Sequence, residues 1–379
     1  MSAEENPDYL RAQLLTYLGN KRNLLGPIDA AARVVRTHLG RKLRVLDAFS
    51  GSGVVSRALK QHASQLVAND IEDYARAVSE CYLTNASEVD LVSLTALVDH
   101  LNEQVTHHPT EGFLRRLYAP RHDHDIAPGE RVFYTAANAA RLDTYAGLIR
   151  EVDPTLRPLL LGPLLSAASI HANTAGIFKG FYKDRATGVG RFGGSGKDAL
   201  SRITGEIRLF PPVLSNFSCD YAVLQRDANT LPDVLHDLDL AYLDPPYNQH
   251  PYGSNYFMLN LLVDYTEPRD LSPVSGIPTS WRRSGYNARK QAPDLLADLV
   301  TRVPARFLLI SFNNEGFISP THLTELLHTV GTVTEFTTQY NTFRGSRNLR
   351  GRNLHVTEHL YLVDRQKEIR MPPVPLVTP

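Results

Sequence analysis

The segment ending in Asp244-Pro245-Pro246-Tyr247 contains the side chains best suited to chemistry. The apolar run just before it, residues 240–243, predicts a buried strand that stops at Asp244. Two consecutive prolines lack N–H donors and fix φ, so neither a strand ladder nor a helix continues through them. We therefore predict a rigid turn that presents a carboxylate, carbonyl acceptors and an aromatic face, a set that suits an exocyclic amine on a stackable ring. A plain turn after a strand is the alternative for this tetrapeptide alone.

A second strand-and-turn segment is suited to binding a nucleoside or a phosphate. Residues 43–49 predict a strand, residues 50–53 (SGSG) break it, and residues 54–62 predict a helix. Glycines in such a turn let a ligand approach the backbone closely. The next predicted strand, residues 65–69, ends at Asp70, where a carboxylate would reach a ribose diol; a helix N-cap is the alternative role. The spacing D-x-F-x-G-x-G matches neither G-x-G-x-x-G nor a Walker A loop.

Three segments combine positive charge with a composition suited to nucleic acid. Residues 176–197 interleave basic residues with aromatics and glycines, residues 281–290 (WRRSGYNARK) are basic and aromatic, and residues 341–352 hold arginines without an acid. Solvated loops are the alternative, but beside a polyanion site such residues bind phosphates and bases. The candidate nucleic-acid contacts are Lys179, Lys183, Arg185, Arg191, Lys197, Arg282, Arg283, Arg344, Arg347, Arg350 and Arg352.

Neither covalent nor metal catalysis has a candidate in the sequence. Residues 355–359 (HVTEH) match the H-x-x-E-H metal pattern, which needs a helix to bring both histidines together. On the strand that we predict here, the histidines would be about 13 Å apart, too far to share a zinc ion. The sequence also contains no G-x-S-x-G elbow and no Pro-Cys pair. We therefore predict no metal.

Composition is typical of a soluble globular chain. The 379 residues, 42% hydrophobic and 21% charged, are enough for one large domain or two. The longest apolar stretch, residues 159–170, is interrupted by Pro163, so no membrane span is expected. The acidic N-terminus predicts no secretory signal, and two isolated cysteines fit a reducing cytoplasm. Lys+Arg and Asp+Glu balance at 40 each, so any polyanion site must be a local patch.

The predicted elements favour an α/β fold with a doubly wound, mostly parallel sheet. Further strands are predicted over residues 221–225 and 305–312, and residues 332–343 and 353–363 alternate as an antiparallel C-terminal hairpin would. Periodicity between residues 72 and 215 is mainly helical. Helices are predicted over residues 24–39, 72–85, 90–105, 136–152, 155–172 and 256–265.

Five motifs occur in the order found in one enzyme family. They are Tyr17-Leu18-Gly19-Asn20-Lys21, Asp47-Ala48-Phe49-Ser50-Gly51-Ser52-Gly53, Asn69-Asp70, Arg226-Asp227-Ala228 and Asp244-Pro245-Pro246-Tyr247. In this order they resemble the class-alpha DNA amino-methyltransferases, the Dam-like group. The resemblance spans most of the chain and is weakest between residues 85 and 217. It implies a seven-stranded methyltransferase sheet, S-adenosylmethionine as donor, and flipping of a base of double-stranded DNA into the Asp-Pro-Pro-Tyr pocket.

The resemblance also implies roles for single residues. Asp244, Pro245, Pro246 and Tyr247 would be catalytic, Asp70 would hold the cofactor ribose, and Asp227 the adenine amine. Tyr17, Lys21, Asp47, Phe49 and Gly51 would line the methionine side of the cofactor. The cofactor-binding set is completed by Ser50, Gly53, Ile71 and Ala228.

The chemistry of the residues fits amine methylation independently of the resemblance. If Asp244 and the Pro245 carbonyl accept the two amine hydrogens, the nitrogen is drawn toward tetrahedral geometry and its lone pair becomes available. The carboxylate also stabilises the positive charge that develops on nitrogen in the transition state. Tyr247 and Tyr256 are candidates to stack on the extruded base.

The acid at the first motif position favours adenine N6 over cytosine N4, a preference that comes from the resemblance. The alternatives are a cytosine-N4 enzyme, an RNA or protein methyltransferase, and a non-catalytic DNA-binding protein. The intact Asp244 and glycine turn argue against the last of these.

The resemblance also divides the chain. We expect residues 1–85 to form the N-terminal, cofactor-binding part of the core and residues 217–370 its catalytic part. Residues 86–216 would form an inserted, mainly helical target-recognition region, and residues 371–379 a disordered tail. The protein is expected in the cytoplasm, on the nucleoid when bound to DNA, as a monomer or weak dimer. A cognate restriction endonuclease is left open.

Overall fold

The computed structural model describes residues 4–194, 199–314, 316–341 and 355–367. Several residues singled out from the sequence lie outside these ranges, and their predicted roles stay predictions. They are Lys197, Arg344, Arg347, Arg350, Arg352 and the tail residues 371–379.

The chain forms a seven-stranded sheet, as expected. Its strands are β1 (Leu43–Asp47), β2 (Ala63–Asn69), β3 (Asp220–Leu224), β4 (Leu238–Leu243), β5 (Ala305–Asn313), β6 (Thr332–Asn341) and β7 (His355–Asp364). Their order is β3-β2-β1-β4-β5-β7-β6. The pairs among β1 to β5 are parallel, whereas β7 is antiparallel to both β5 and β6. The sheet is therefore mostly parallel, with the predicted antiparallel hairpin at its C-terminal edge.

Burial along the strands follows their positions in the sheet. Every residue of the central strand β4 is buried, which explains its apolar run over residues 240–243. The edge strand β3 contains only exposed and half-buried residues. A strand at the edge has one side open to water, so it needs no such run.

The seven strands belong to one compact unit, formed by Asn20–Ile71, Phe217–Pro251 and Arg283–Pro379. Its helices are Leu25–Leu39, Val54–Leu59, Ala292–Arg302 and Pro320–Val330. Gly40 ends the first of these in a left-handed conformation with φ 65°. The last two were not predicted, although Ser319 accepts a hydrogen bond from the His322 N–H as an N-cap residue does.

A second compact unit is formed by Met1–Gly19, Glu72–Asn216 and Tyr252–Arg282, and its described elements are helical. Its helices are Pro7–Arg11, Asp73–Leu83, Leu91–His107, Phe113–Tyr118, Ala136–Glu151, Arg157–Ile170, Leu200–Thr204, Tyr252–Asn255 and Phe257–Asp264. The four long predicted helices between residues 72 and 172 are present with ends shifted by a few residues. The side chains of Asp90 and Thr135 cap two of them.

This helical unit is larger than the insertion expected over residues 86–216. It also contains the helix Asp73–Leu83 and the segment Tyr252–Arg282. The assignment of residues 86–216 to target recognition stays a prediction. Within the described ranges, no helix is both long enough and apolar enough to cross a membrane.

Candidate active site

The predicted site residues of the sheet-containing unit follow the ends of parallel strands. The glycine turn follows β1, Asp70 follows β2, Arg226 and Asp227 follow β3, and Asp244 follows β4. Since these strands run parallel, their carboxyl ends meet at one edge of the sheet, where open α/β folds bind their ligands.

Asp244 lies next to a buried ammonium group. The Lys21 Nζ is 3.2 Å from the Asp244 Oδ1, and the two side chains are 4% and 17% exposed. The same Nζ is 5.6 Å from the centre of the Tyr247 ring. The Tyr247 carbonyl accepts a hydrogen bond from the Phe317 N–H at 2.9 Å, which fixes the turn after the prolines. The carboxylate, the cation and the aromatic ring therefore form one cluster.

Burial and charge act in opposite directions on this cluster. Burial raises the pKa of Asp244, Lys21 lowers it, and Glu358 raises it again, so that the Asp244 pKa is about 6. Burial lowers the pKa of Lys21, but Asp244 and Glu358 outweigh it and raise this pKa well above its ordinary value. At neutral pH Asp244 is therefore mostly ionised and Lys21 is protonated.

The turn after β1 is built around two glycines with left-handed backbones, Gly51 at φ 50° and Gly53 at φ 72°. The Gly51 N–H donates to the Asp70 Oδ2 at 2.9 Å, which ties the turn to the end of β2. A side chain at either glycine would strain the backbone. The turn therefore combines close backbone access with an adjacent carboxylate, the features that a nucleoside with a ribose diol requires.

A family model for D12 class N6 adenine-specific DNA methyltransferases matches residues 17–273. The match begins at Tyr17 and includes all five motifs. The chain belongs to this family. It is therefore an S-adenosylmethionine-dependent, site-specific DNA methyltransferase that acts on the N6 amine of adenine, and the open choice between adenine and cytosine is settled for adenine.

Three known methyltransferases resemble the chain over most of its length. Type II methyltransferase M.NlaIII of Neisseria lactamica is 27% identical over 363 residues, covering 93% of this chain and 99% of that protein. Type II methyltransferase M.CviAII of Paramecium bursaria Chlorella virus 1 is 25% identical, covering 84% of this chain and 89% of that protein. Type II methyltransferase M.FokI of Planomicrobium okeanokoites is 23% identical, covering 94% of this chain and 53% of that protein.

Glu358, to which the sequence motifs assign no role, lies beside the Lys21 ammonium of the cluster around Asp244. Its Oε2 is 3.5 Å from the Lys21 Nζ, and its side chain is 1% exposed. In β7 it lies two residues before the buried apolar run at residues 360–363. An acid close to a continuous apolar run in a predicted strand was the signal that could have identified it.

Asn69, the first residue of the motif Asn69-Asp70 and the last of β2, connects the turns after three strands. Its Nδ2 donates to the carbonyls of Ala48 and Arg226 at 3.0 and 3.1 Å, and its Oδ1 accepts from the Arg226 N–H. The side chain is 1% exposed. Asn69 therefore holds the turns after β1 and β3 on either side of β2.

The remaining predicted cofactor residues of this unit differ in exposure. Asp47 is fully buried and accepts a 2.5 Å hydrogen bond from the Ser56 hydroxyl; burial raises its pKa to about 7. Phe49 lies edge-on to Tyr286, with ring centres 5.2 Å apart. Asp227 is exposed and caps the turn that contains the buried Ala228. Ser50 is buried, and the half-buried Ile71 accepts a hydrogen bond from Gln225 through its carbonyl.

Tyr17 belongs to the helical unit, where it lies in a group of tyrosines. Its ring is nearly parallel to those of Tyr256 and Tyr252, with centres 4.8 and 5.1 Å away. Its hydroxyl is 3.0 Å from that of Tyr74. Tyr256 is 1% exposed and accepts a hydrogen bond from the Leu18 N–H, so stacking of Tyr256 on a base was a wrong expectation.

The basic candidates of the helical unit have different surroundings. Lys183 and Arg185 are exposed, Lys179 is half-buried, and Arg191 donates to the Gly194 carbonyl at 2.8 Å. Their segment is not an open loop, because Lys183 and Gly190 form a β-bridge. Phe178 is 2% exposed in the hydrophobic core, so it is not one of the expected nucleic-acid-contacting aromatics.

Arg282 and Arg283, neighbours in the chain, belong to different units. Arg282 forms an ion pair with Asp73, and Arg283 is exposed. Contacts of these arginines with DNA stay predictions.

Proposed function

We propose that residues 244–247 bind the flipped adenine and that Asp244 is the residue on which methyl transfer depends most. The observation that carries this assignment is the Asp244 carboxylate at the end of β4, held 3.2 Å from a buried lysine. β4 pairs directly with β1, whose following turn Asp70 holds. The target base and the methyl donor would therefore occupy neighbouring positions at one edge of the sheet.

The proposed chemistry requires only positioning and electrostatics. S-adenosylmethionine, held by the glycine turn and Asp70, would supply an electrophilic methyl group to the N6 lone pair, with the neutral thioether as the leaving group. Asp244 and the Pro245 carbonyl accept the N6 hydrogens, which localises that lone pair. Asp244 stabilises the positive charge on N6 and accepts the proton that N6 then loses. Tyr247 stacks on the adenine ring.

For the cofactor we propose the glycine turn and Asp70, with Asp227 at the adenine amine. The positive φ angles of Gly51 and Gly53 and the carboxylate after β2 support this assignment. Lys21 acts through Asp244, because its Nζ is within ion-pair distance of that carboxylate. The roles of Tyr17, Asp47, Phe49, Ser50, Ile71 and Ala228 in cofactor binding stay predictions.

Replacing Asp70 tests the cofactor site. Asp70→Ala removes the ribose acceptor, and we expect cofactor binding to weaken roughly 10- to 100-fold, as expected for a lost hydrogen bond to a charged group. Asp70→Asn keeps an acceptor for the Gly51 N–H, so its loss should be smaller. Calorimetry with the demethylated cofactor measures both variants. A wild-type dissociation constant for Asp70→Ala would contradict the assignment.

For DNA we propose that the arginines between residues 344 and 352 bind phosphates. Replacing Arg344 and Arg347 by alanine should weaken binding to every DNA sequence. The slope of log affinity against log salt should fall by about one unit per lost contact. Arg36→Ala, at an exposed arginine of the helix Leu25–Leu39, is the control. An unchanged slope in the double variant would leave these arginines without a phosphate contact.

The wider assignments follow from the family and from the relatives' names. We propose that residues 86–216 contribute to target recognition and that the enzyme acts as a monomer or weak dimer in the cytoplasm. Several relatives are called type II methyltransferases or modification methylases, which supports pairing with a restriction endonuclease. Sequencing methylated positions in genomic DNA treated with the enzyme tests the proposed pairing. A cognate pair requires one defined recognition sequence, so methylation without such a sequence would contradict it.

A further inference from the structure

Glu358 is a buried carboxylate that no strand-end motif accounts for. Its Oε2 is 3.5 Å from the Lys21 Nζ, which is itself 3.2 Å from the Asp244 Oδ1. The Glu358 side chain is 1% exposed. Burying a carboxylate costs free energy unless a partner compensates, and replacing a buried ion pair by apolar residues is often neutral or stabilising. The gain in stability from this ion pair does not by itself explain a buried carboxylate at this position, whereas a role in the reaction would explain it.

The antiparallel hairpin brings Glu358 to the catalytic edge of the sheet. In the register of β5 with β7, Glu358 is opposite Asn313, the last residue of β5. β5 also pairs with β4, the strand that leads to Asp244. Because β7 runs opposite to β5, a residue near its start reaches the edge where the parallel strands end.

The charges of the three groups do not cancel, because one ammonium, that of Lys21, lies between two carboxylates. If Lys21 faced Asp244 alone, the two would form a neutral pair, and an incoming amine would compete with the ammonium for the carboxylate. A second carboxylate on the ammonium shares its charge. The groups that face Lys21 are Asp244, Glu358 and the hydroxyls of Tyr247 and Tyr242. The groups that interact electrostatically with Asp244 are Lys21, Glu358, the Asp47 carboxyl and the hydroxyls of Tyr242 and Tyr247.

We propose that Glu358 is a positioning residue for methyl transfer: it holds the Lys21 ammonium and shares its charge, so that Asp244 stays available to accept the N6 hydrogens. This inference rests on the role proposed above for Asp244. Glu358 touches neither base nor cofactor in this account and acts through Lys21. The raised Asp244 pKa, to which Glu358 contributes, is consistent with it.

Glu358→Gln tests the proposal because it keeps the shape of the side chain and removes its charge. Without the second carboxylate, Lys21 acts on Asp244 alone and lowers the Asp244 pKa from about 6. The acid limb of kcat against pH should therefore move to lower pH. At pH 8 kcat should fall roughly tenfold, with KM for DNA and cofactor unchanged, as expected for an interaction used in the transition state.

Glu335→Gln is the matched control. Glu335 lies in β6, on the other strand of the same hairpin, and pairs with His359 at 2.6 Å. Removing its charge should leave the acid limb and kcat unchanged. A merely structural role for Glu358 would lower Tm in Glu358→Gln without moving the acid limb, and that result overturns the proposal.

Two further variants complete the test. Should Glu358→Gln not fold, Glu358→Asp retracts the carboxylate from Lys21 by one methylene. A lower kcat with an acid limb shifted in the same direction supports the proposal, and wild-type values overturn it. Asp244→Ala distinguishes failure of the catalytic role proposed for Asp244 from failure of the positioning role proposed for Glu358. An active Asp244→Ala enzyme removes the proposed catalytic role itself, whereas an inactive one beside a wild-type-like Glu358→Gln enzyme removes only the role of Glu358.

Discussion

Asp244→Ala should reduce methyl transfer by a factor on the order of 100 or more while cofactor binding is largely kept. The carboxylate accepts hydrogens from N6 and stabilises a charge that exists only in the transition state, so its loss affects kcat rather than ground-state binding. Single-turnover transfer of a labelled methyl group to duplex DNA measures the chemical step. Calorimetry with the demethylated cofactor measures binding.

Two further variants test whether the charge of Asp244 and its position are what transfer requires. Asp244→Asn keeps a carbonyl acceptor but loses the charge, so its rate should lie between those of wild type and Asp244→Ala. Asp237→Asn changes a carboxylate that immediately precedes the same strand, at its opposite end, and is 77% exposed, so its activity should be normal. Loss of cofactor binding in a folded Asp244→Ala protein would mean that Asp244 belongs to the cofactor site instead.

The positions of Asp244, the glycine turn and Asp70 could be predicted because they depend on local signals. An apolar run that ends at a proline pair or a glycine turn marks a strand end. Parallel strands then place such ends at one edge without further information. The N6 target came from family resemblance, since the same acceptors serve an adenine or a cytosine amine.

The ion pairs of Lys21 could not be predicted, because they depend on tertiary register. The sequence places Glu358 in an apolar strand, but only the pairing of β7 with β5 brings it beside the end of β5. A shift of one residue would turn its side chain to the other face of the sheet. The same limit explains Asn69, whose three hydrogen bonds join turns far apart in the chain.

Aromatic residues were the least predictable part of the site. Tyr256 and Phe178 are aromatic, as base-stacking residues are, yet both side chains are almost fully buried in the helical unit. An aromatic ring can fill a hydrophobic core or stack on a base, and its residue type alone does not distinguish these two roles. The helix Phe113–Tyr118 was missed for a different reason, because six residues carry little periodicity.

Replacing Lys21 should have the largest combined effect on stability and activity. Lys21→Met removes the cation from between two carboxylates and leaves Glu358, 1% exposed, without it. Breaking a buried ion pair in this way costs about 3–5 kcal/mol. Without the ammonium, the Asp244 pKa should rise above its present value of about 6. Transfer at pH 7 should then fall on the order of 100-fold, because a protonated carboxyl is a poor acceptor and cannot stabilise a cation.

The loss of stability in Lys21→Met should depend on pH, and it should grow as pH rises. A carboxyl whose pKa is higher in the folded than in the unfolded protein stabilises the fold at low pH, and that contribution is lost as pH rises through the folded pKa. In Lys21→Met the Asp244 carboxyl should behave in this way. The deficit in Tm relative to wild type should therefore be small near pH 5 and large at pH 8. Thermal melts at the two values measure it directly.

Lys60→Met is the matched control, since Lys60 is a fully buried lysine of the same unit whose Nζ lies 6.0 Å from the Tyr221 ring. It should lose stability without moving the acid limb of activity. Lys21→Arg should recover most of the stability, because it restores a cation between Asp244 and Glu358, while kcat stays reduced by the different shape of the guanidinium. If Lys21→Met kept wild-type transfer at pH 7, Asp244 would not need its lysine, and the pairing would be a packing feature of the sheet edge.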